Sequence, residues 1–261
     1  FYPLNIFYYL HDYKHNAMIR LIWHFFDIFN LHSRHVVKQI LAKEKPDVVI
    51  THNLKGLGYL LPRLIAAMPV QKYIHVLHDV QYAVPSGLIV KGEEQRFSVA
   101  GFPTVWYGKL CRWLLRGIDV VVSPSHWLLR FYRDRGFFVG AEQRVFPNPV
   151  VLKNTKDFKA QLTTAPYRNF LFLGQIETHK GIEQLVKVMN KLPHIRLRVA
   201  GKGRLLEALR KEAPANVEFL GQLNSAEVSQ EINDCDYVVV PSRCYENSPT
   251  VIYESFSQAK P

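Results

Sequence analysis

Three side chains near the carboxyl end of this 261-residue chain combine chemistry with spacing: Glu246, Thr250 and Glu254, in the run DYVVVPSRCYENSPTVIYESFSQAKP at 236–261. The compact apolar run 237–240 predicts a buried parallel strand, because it is short, β-branched and ends at Pro241. Ser248-Pro249 then reads as an N-cap followed by proline at the first helical position, with Val251, Ile252, Ser255, Phe256 and Ala259 at helical spacing. A helix that opens just past the carboxyl end of a strand offers unpaired N–H groups and the positive end of its dipole, which suit a phosphate. On that helix Thr250 and Glu254 share one face, about 6 Å apart along the axis. Carboxylates do not bind phosphate, but they accept hydrogen bonds from sugar hydroxyls, so Glu246 and Glu254 are placed to hold sugars on either side of a diphosphate. The plain alternative is two surface glutamates that fall eight positions apart by chance.

Other residues suit the same chemistry. His179-Lys180-Gly181 lies between an expected strand at 170–173 and a helix carrying Ile182, Leu185, Val186 and Met189. A lysine at a helix start opposes the dipole, so Lys180 asks for an anion there. His78-Asp79 ends an expected strand at 73–77. His78 either donates a hydrogen bond to a hydroxyl or a leaving phosphate, or anchors its loop. His52, after an expected strand at 48–51, is read as shaping its loop. Gly201-Lys202-Gly203 is expected to permit close backbone packing, Ser125 to cap a helix ended by Gly136, and Asn224-x-x-Glu227 to form a capping box.

These groups need a scaffold with strands ending side by side. Strands at 48–51, 73–77, 120–123 and 144–146 alternate with helical or irregular stretches, and a second series follows at 170–173, 197–200, 217–220 and 237–240. Such alternation predicts parallel sheets wrapped by helices, in two Rossmann-like halves. The halves are expected at 1–150 and 167–261, with a polar linker at 151–166. Two helices are expected before residue 45, the first with Ile19, Ile22, Trp23, Phe26 and Phe29 on one face, and residues 80–104 read as a long loop.

Composition, with 13% aromatic and 21% charged residues, fits a folded globular protein rather than a disordered one. Of the net charge of +11, most lies in residues 1–150, with 18 Lys and Arg against 10 Asp and Glu. Charge alone does not choose among nucleic acid, an anionic membrane surface and a phosphorylated substrate. No RNA-binding signature accompanies it, and nucleic acid is not expected as a partner. Lys109, Arg112 and Arg116 interleave with Leu110, Trp113, Leu114 and Leu115, and Arg130, Arg133 and Arg135 stand beside Trp127, Phe131 and Tyr132. These are either ordinary helices with a buried apolar side or basic amphipathic helices for an anionic membrane. Three scattered cysteines without metal-ligand spacing suggest a reducing cytosolic compartment, and no run is apolar enough to span a membrane.

The motifs PS-x3-EN-SP-T-x3-E at 241–254, Ala259-Lys260-Pro261 after it and HKG at 179–181 resemble the donor domain of retaining GT-B glycosyltransferases of family 4. The resemblance extends over nearly the whole chain. It implies an α/β protein whose two Rossmann-like domains face each other across a cleft, here without the family's first strand and glycine-rich loop or its final strand. It implies transfer of a sugar, with retention of configuration and no metal cofactor, from a nucleotide sugar to a glycan or lipid-linked acceptor. Lys180 and the helix start at Thr250 would hold the diphosphate, Glu254 the ribose, and Glu246 the donor sugar near its anomeric carbon. Gly174, Gln175, Asn247, Ser248 and Val251 would line the donor, Leu223 would meet the base, and His78 would face the sugar from the first domain. Gln175 stands where the family usually has arginine, so half of the cationic clamp is absent, and Arg243 or a basic group of the first domain would compensate. Pro149 replaces the glycine of the family's Pro-Asn-Gly turn. A sugar-nucleotide epimerase shares this architecture.

Overall fold

The computed structural model describes residues 4–5, 16–149 and 168–261, which fall into two compact units, Phe1–Pro147 and Asn148–Pro261. The linker expected at 151–166 lies outside the described residues. In the first unit α1 (Ala17–Ile28) and α2 (Leu31–Glu44) lead into β1 (Val48–Thr51), α3 (Leu61–Ala66), β2 (Lys72–Val76), α4 (Phe97–Ala100), α5 (Phe102–Leu114), β3 (Val120–Ser123), α6 (His126–Arg133) and β4 (Glu142–Val145). The strands form a parallel sheet in the order β1-β2-β3-β4. Asn16, Asn30 and Ser125 cap α1, α2 and α6 through their side-chain oxygens.

Two expectations for this unit are corrected. Ile19, Ile22 and Phe26 are exposed, and α1 instead turns Trp23, Asp27 and Ile28 inward. Buried Asp27 accepts hydrogen bonds from the Gly56 N–H at 2.9 and 3.1 Å, so a polar anchor sets the helix's rotation. Burial raises its carboxyl to about 6 against the opposing pull of the Gly56 N–H and Lys55. The stretch 80–104 also contains helix: α4 and the first turn of α5 form there, because Pro103 falls in the first turn of a helix, where its missing N–H is not needed. The loop before them is pinned by aromatic hydroxyls, with Tyr132 donating to the Asp79 carbonyl at 2.8 Å and Tyr107 to the Gln81 carbonyl at 2.8 Å.

His75 on β2 is fully buried, its Nδ1 2.8 Å from the Thr51 hydroxyl. Burial, with the neighbouring His78 and His52, lowers its pKa to about 3. The unfolded chain therefore takes up this proton first as pH falls, so His75 contributes stability that is present above pH 6.5 and lost on the way down to about 3. Asp27, raised in the fold, acts in the opposite sense between about 6 and 3.8. All four tryptophans (Trp23, Trp106, Trp113 and Trp127) lie in the first unit, so urea unfolding read by tryptophan emission reports that unit. We expect His75→Gln to flatten the loss of urea midpoint between pH 6.5 and 4. An unchanged slope would remove His75 as its source.

The second unit runs β5 (Asn169–Leu173), a 3₁₀ turn at Thr178–Lys180, α7 (Ile182–Met189), β6 (Arg196–Ala200), α8 (Leu206–Glu212), β7 (Val217–Gly221), α9 (Ser225–Asp234), β8 (Tyr237–Val238) and α10 (Thr250–Ser257). Its sheet is parallel in the order β7-β6-β5-β8. Phe172, Leu197 and Val199 from the strands pack on Ile182, Val186 and Met189 of α7. On the other face Leu171 meets Ile232 and Cys235. The capping box of Asn224 and Glu227 starts α9 as the sequence predicts. The strand expected at 237–240 is laddered only over Tyr237–Val238, although the Val239 N–H still donates to Leu171 O at 2.8 Å.

Candidate functional site

Strand order in the second unit locates the site. From β5 the chain proceeds outward to β6 and β7, then returns to place β8 on the other side of β5. Between neighbours whose connections leave in opposite directions, a crevice opens at the carboxyl edge of the sheet. The loop after β5 carries Gly174, Gln175 and Lys180, and the loop after β8 carries Glu246, Asn247 and Ser248, so the two expected halves of the donor site meet at this switch point.

Backbone contacts clamp the two loops together. The N–H groups of Arg243 and Cys244 donate to the His179 carbonyl at 2.9 and 3.2 Å. Gly181, at φ +73, caps α7, and a Cβ there would lie 2.0 Å from the Pro241 carbonyl oxygen. Glycine at this place is thus what lets the lysine loop close on the β8 loop.

Across that contact the Lys180 ammonium donates to Glu246 Oε1 at 2.6 Å. The same oxygen accepts from the Ser242 hydroxyl at 2.6 Å and the Cys244 thiol at 3.6 Å. Burial by itself would raise the Glu246 carboxyl, but the hydrogen bonds from Lys180 and Ser242 and the lysine charge outweigh it and hold it below the ordinary carboxylate range. Burial and the Glu246 charge push the Cys244 thiol up to about 11, so it stays a neutral donor. The anion that Lys180 faces is therefore a carboxylate of its own chain, and not only the helix-terminal site expected from the sequence. Ser242 and Cys244 had no assigned role in the sequence. Their signal was positional: both lie within four residues of Glu246 in the same loop.

The start of α10 differs from expectation in one respect. Pro249, not Ser248, is the N-cap, and no side chain caps the first turn. Ser248 is engaged elsewhere: its hydroxyl lies 3.2 Å from the Tyr253 hydroxyl and 3.4 Å from the Asn148 N–H, while the Asn148 amide donates to the Ser248 carbonyl at 3.0 Å. The 147–149 turn thus ties the start of the second unit to the α10 entry. The leading N–H groups of α10 at Thr250 and Val251 are left without a side-chain cap, which is the arrangement an anion requires. Glu254 lies one turn along from Thr250, half-buried.

Gly174 sits beneath a second layer. Gly201, at φ +141, is so close that a Cβ would lie 1.8 Å from the Gly174 oxygen, and the Gly201 N–H donates to Gly221 O at 2.7 Å. The predicted close packing of the 201–203 turn is therefore present, and it stacks the loops after β5, β6 and β7, the last of which carries half-buried Leu223. Gln175 is exposed. Arg243, offered as compensation for it, is also exposed, and its role in the fold is the backbone bond to His179. Glu177 binds Arg204 through side chain and backbone at 2.8 and 2.9 Å and fixes the lysine loop from the far side.

In the first unit His78 and His52 end neighbouring strands, and their rings meet at Nε2 and Nδ1, 3.0 Å apart. His52 is therefore a partner of His78 as well as a loop residue. Burial and the His52 charge lower the His78 pKa, so the pair holds a neutral imidazole at neutral pH. Among the described residues no group of three or more His, Cys, Asp or Glu side chains is gathered as a metal site.

Comparison with known proteins follows the same division. Residues 9–154 match the profile of Glycosyltransferase Family 4, and residues 153–261 match that of Glycosyl transferases group 1. This chain belongs to glycosyltransferase family 4. A relative from Klebsiella pneumoniae, an uncharacterized 42.6 kDa protein in the cps region, is 25% identical over 262 residues, covering 98% of this chain and 67% of that protein. Sucrose-phosphate synthase from Thermosynechococcus elongatus has a similar fold, with a TM-score of 0.66 at 21% identity over 87% of this chain and 58% of that one. HepE from Anabaena, solved with UDP and glucose, gives a TM-score of 0.63 at 16% identity over 87% and 61% of the respective chains. The family 4 chain thus has the α/β GT-B fold and spans about three-fifths of the length of these solved proteins.

Proposed function

We propose that the protein transfers a sugar from a nucleotide-sugar donor to a glycan or lipid-linked acceptor in the cytoplasm, with retention of configuration and without a metal. The observation that carries this reading is the Lys180–Glu246 pair, set at the switch point beside an uncapped helix start. A diphosphate at the start of α10 would draw the Lys180 ammonium to itself and free the Glu246 carboxylate to accept from a donor hydroxyl, with Glu254 one turn on for the ribose. Asn247, Ser248 and Val251 would surround the diphosphate, and Gly174 and Gln175 would approach it through the β5 loop. Leu223 would meet the base. The neutral His78 would donate to the sugar or to the leaving phosphate. That HepE was solved with UDP and glucose and lies in the same fold class supports the donor class.

The test is a thermal-shift screen of UDP-, GDP- and ADP-sugars on the intact protein, followed by labelled donor. One nucleotide is expected to stabilise the fold by RT ln(1 + [L]/Kd), about 2.7 kcal/mol at 100 times Kd, and so to raise the melting temperature. Label should then move to an acceptor. No shift with any donor, or label that changes configuration without moving, would sink the reading.

A further inference from the structure

Glu246 Oε1 takes every hydrogen bond that this carboxylate accepts among the described residues: from Lys180 at 2.6 Å, the Ser242 hydroxyl at 2.6 Å and the Cys244 thiol at 3.6 Å. An ionised carboxyl oxygen offers roughly two lone pairs, so three donors crowd Oε1 while Oε2 is left to other partners. The three donors differ in kind. Lys180 is charged, sits on a long flexible stem and comes from the loop after β5. Ser242 and Cys244 are neutral and short, and they come from the same loop as Glu246. A diphosphate at the start of α10 attracts the ammonium by charge and exerts no comparable pull on a hydroxyl or a thiol. Once the lysine leaves, Ser242 and Cys244 match the two lone pairs of Oε1, one donor for each.

These two donors are held from behind, independently of the lysine side chain. The Cys244 N–H donates to the His179 carbonyl at 3.2 Å and the intervening Arg243 N–H at 2.9 Å. Pro241, next to Ser242, is fitted so closely against Gly181 that a Cβ there would lie 2.0 Å from its carbonyl oxygen. The Ser242 bond, at 2.6 Å, falls in the short range of hydroxyl–carboxylate bonds that the charge strengthens. Cys244 remains a donor at neutral pH, because burial and the Glu246 charge push its thiol up to about 11. Such support matters because the Glu246 side chain is only 24% exposed: a carboxylate that lost its cation there, with no other donor, would take up a proton.

We propose that Ser242, seconded by Cys244, is a positioning residue for sugar transfer: the two hold Glu246 Oε1 after the donor diphosphate has drawn Lys180 away, and so keep Oε2 open to a hydroxyl of the donor sugar. This rests on the nucleotide-sugar reading of the site and deepens it. Both residues act through Glu246 and not on the substrate. The titratable groups coupled to that carboxylate are Lys180 and His179 of the β5 loop and Cys244 of its own loop.

The test has two arms on the intact protein, with UDP, GDP and ADP tried as the nucleoside diphosphate. In the first, carbon-13 spectra of the glutamate carboxyls follow the titration of Glu246, whose signal is identified by its loss in Glu246→Gln. Ser242→Ala is expected to move the Glu246 midpoint upward, and further upward with the bound nucleotide that occupies Lys180. Ser242→Thr, which keeps the hydroxyl, is expected to return it to the wild-type position. In the second arm, label released from the matching glucose nucleotide gives kcat against pH. Ser242→Ala is expected to lower kcat by about 10-fold or more, the scale of one lost hydrogen bond to a charged group, with nucleotide Kd unchanged and the acid limb of the profile moved upward. Cys244→Ala is expected to act in the same direction by a smaller factor. Matching circular-dichroism melts check the fold, and Cys244→Ala carries the test should Ser242→Ala melt lower. An unmoved Glu246 midpoint, normal kcat, losses of kcat and nucleotide affinity that are equal, or no restoration by threonine overturns the proposal. Failure of the underlying reading has a different signature: the wild-type protein itself then binds none of the three nucleotides and releases no label, and the proposal falls with it.

Discussion

Glu246→Gln is expected to lower turnover by about 10²- to 10³-fold, the scale seen when one preorganised polar contact to the reacting centre is lost, while nucleoside diphosphate binding holds steady or tightens. The split follows from the shared contact. In this structure the Lys180 ammonium is bound to Glu246 Oε1 at 2.6 Å, and a diphosphate must compete for it. An amide keeps the volume and the hydrogen bond from Ser242 but not the charge, so Lys180 is released to phosphate more readily. Lys180→Ala should do the reverse: donor affinity falls by about 10- to 100-fold, as for one lost hydrogen bond to a charged group, and the Glu246 carboxyl, without its cation, moves up in pKa. Calorimetry with the nucleoside diphosphate, set beside steady-state transfer rates, separates the two. Near-normal turnover in Glu246→Gln removes the glutamate from the chemistry, and equal losses of binding and turnover in both variants reduce the pair to a structural clamp. The fold should survive either change, because the pair is only half-buried and its backbone clamp at His179 is independent of both side chains.

Gly201→Ala is expected to have the largest effect on stability. Its φ of +141 is disfavoured for any L side chain, and the added carbon would stand 1.8 Å from the Gly174 oxygen, with backbone on both sides of the clash. Neither loop can yield without breaking the bonds that stack them, Gly174 N–H to Ala200 O and Gly201 N–H to Gly221 O. A cost of more than about 4 kcal/mol places it among the few severe single substitutions. For a unit of this size that is a fall of roughly 16 °C or more in melting temperature. Gly221→Ala is the control: φ is +76, but nothing lies within 4 Å of the new carbon, so the cost is about 1–2 kcal/mol, that of the left-handed backbone alone. The second unit has no tryptophan, so scanning calorimetry or far-ultraviolet dichroism must be the readout. Equal melting of the two variants would show that the close approach is not rigid.

Much of this protein was legible in its sequence, because alternating apolar runs and turn residues are local signals. Strands such as Val120–Ser123, the cap at Ser125 and the box at Asn224 and Glu227 depend on neighbours a few positions away. The set of candidate residues for the proposed donor site was legible for a similar reason: the loops after β5 and β8 each carry a compact motif. The rotation of α1 was not, since Asp27 is held by Gly56, far along the chain, and periodicity by itself favoured the exposed Ile22 and Phe26. The Ser248 cap failed because Tyr253 and Asn148 compete for the same side chain.

The pairing of Lys180 with Glu246 lay furthest beyond the sequence. Sixty-six residues separate them, and only the strand order β7-β6-β5-β8 places their loops side by side. Residue types and short spacings by themselves determined the α/β fold class, the cap at Ser125 and the capping box at Asn224 and Glu227. Tertiary structure decided which charge faces which, that His52 joins His78, and that the aromatic face of α5 turns outward. The reason is physical: local propensity acts over one or two turns, whereas charge pairing and burial depend on distances in space that only the packed sheets set.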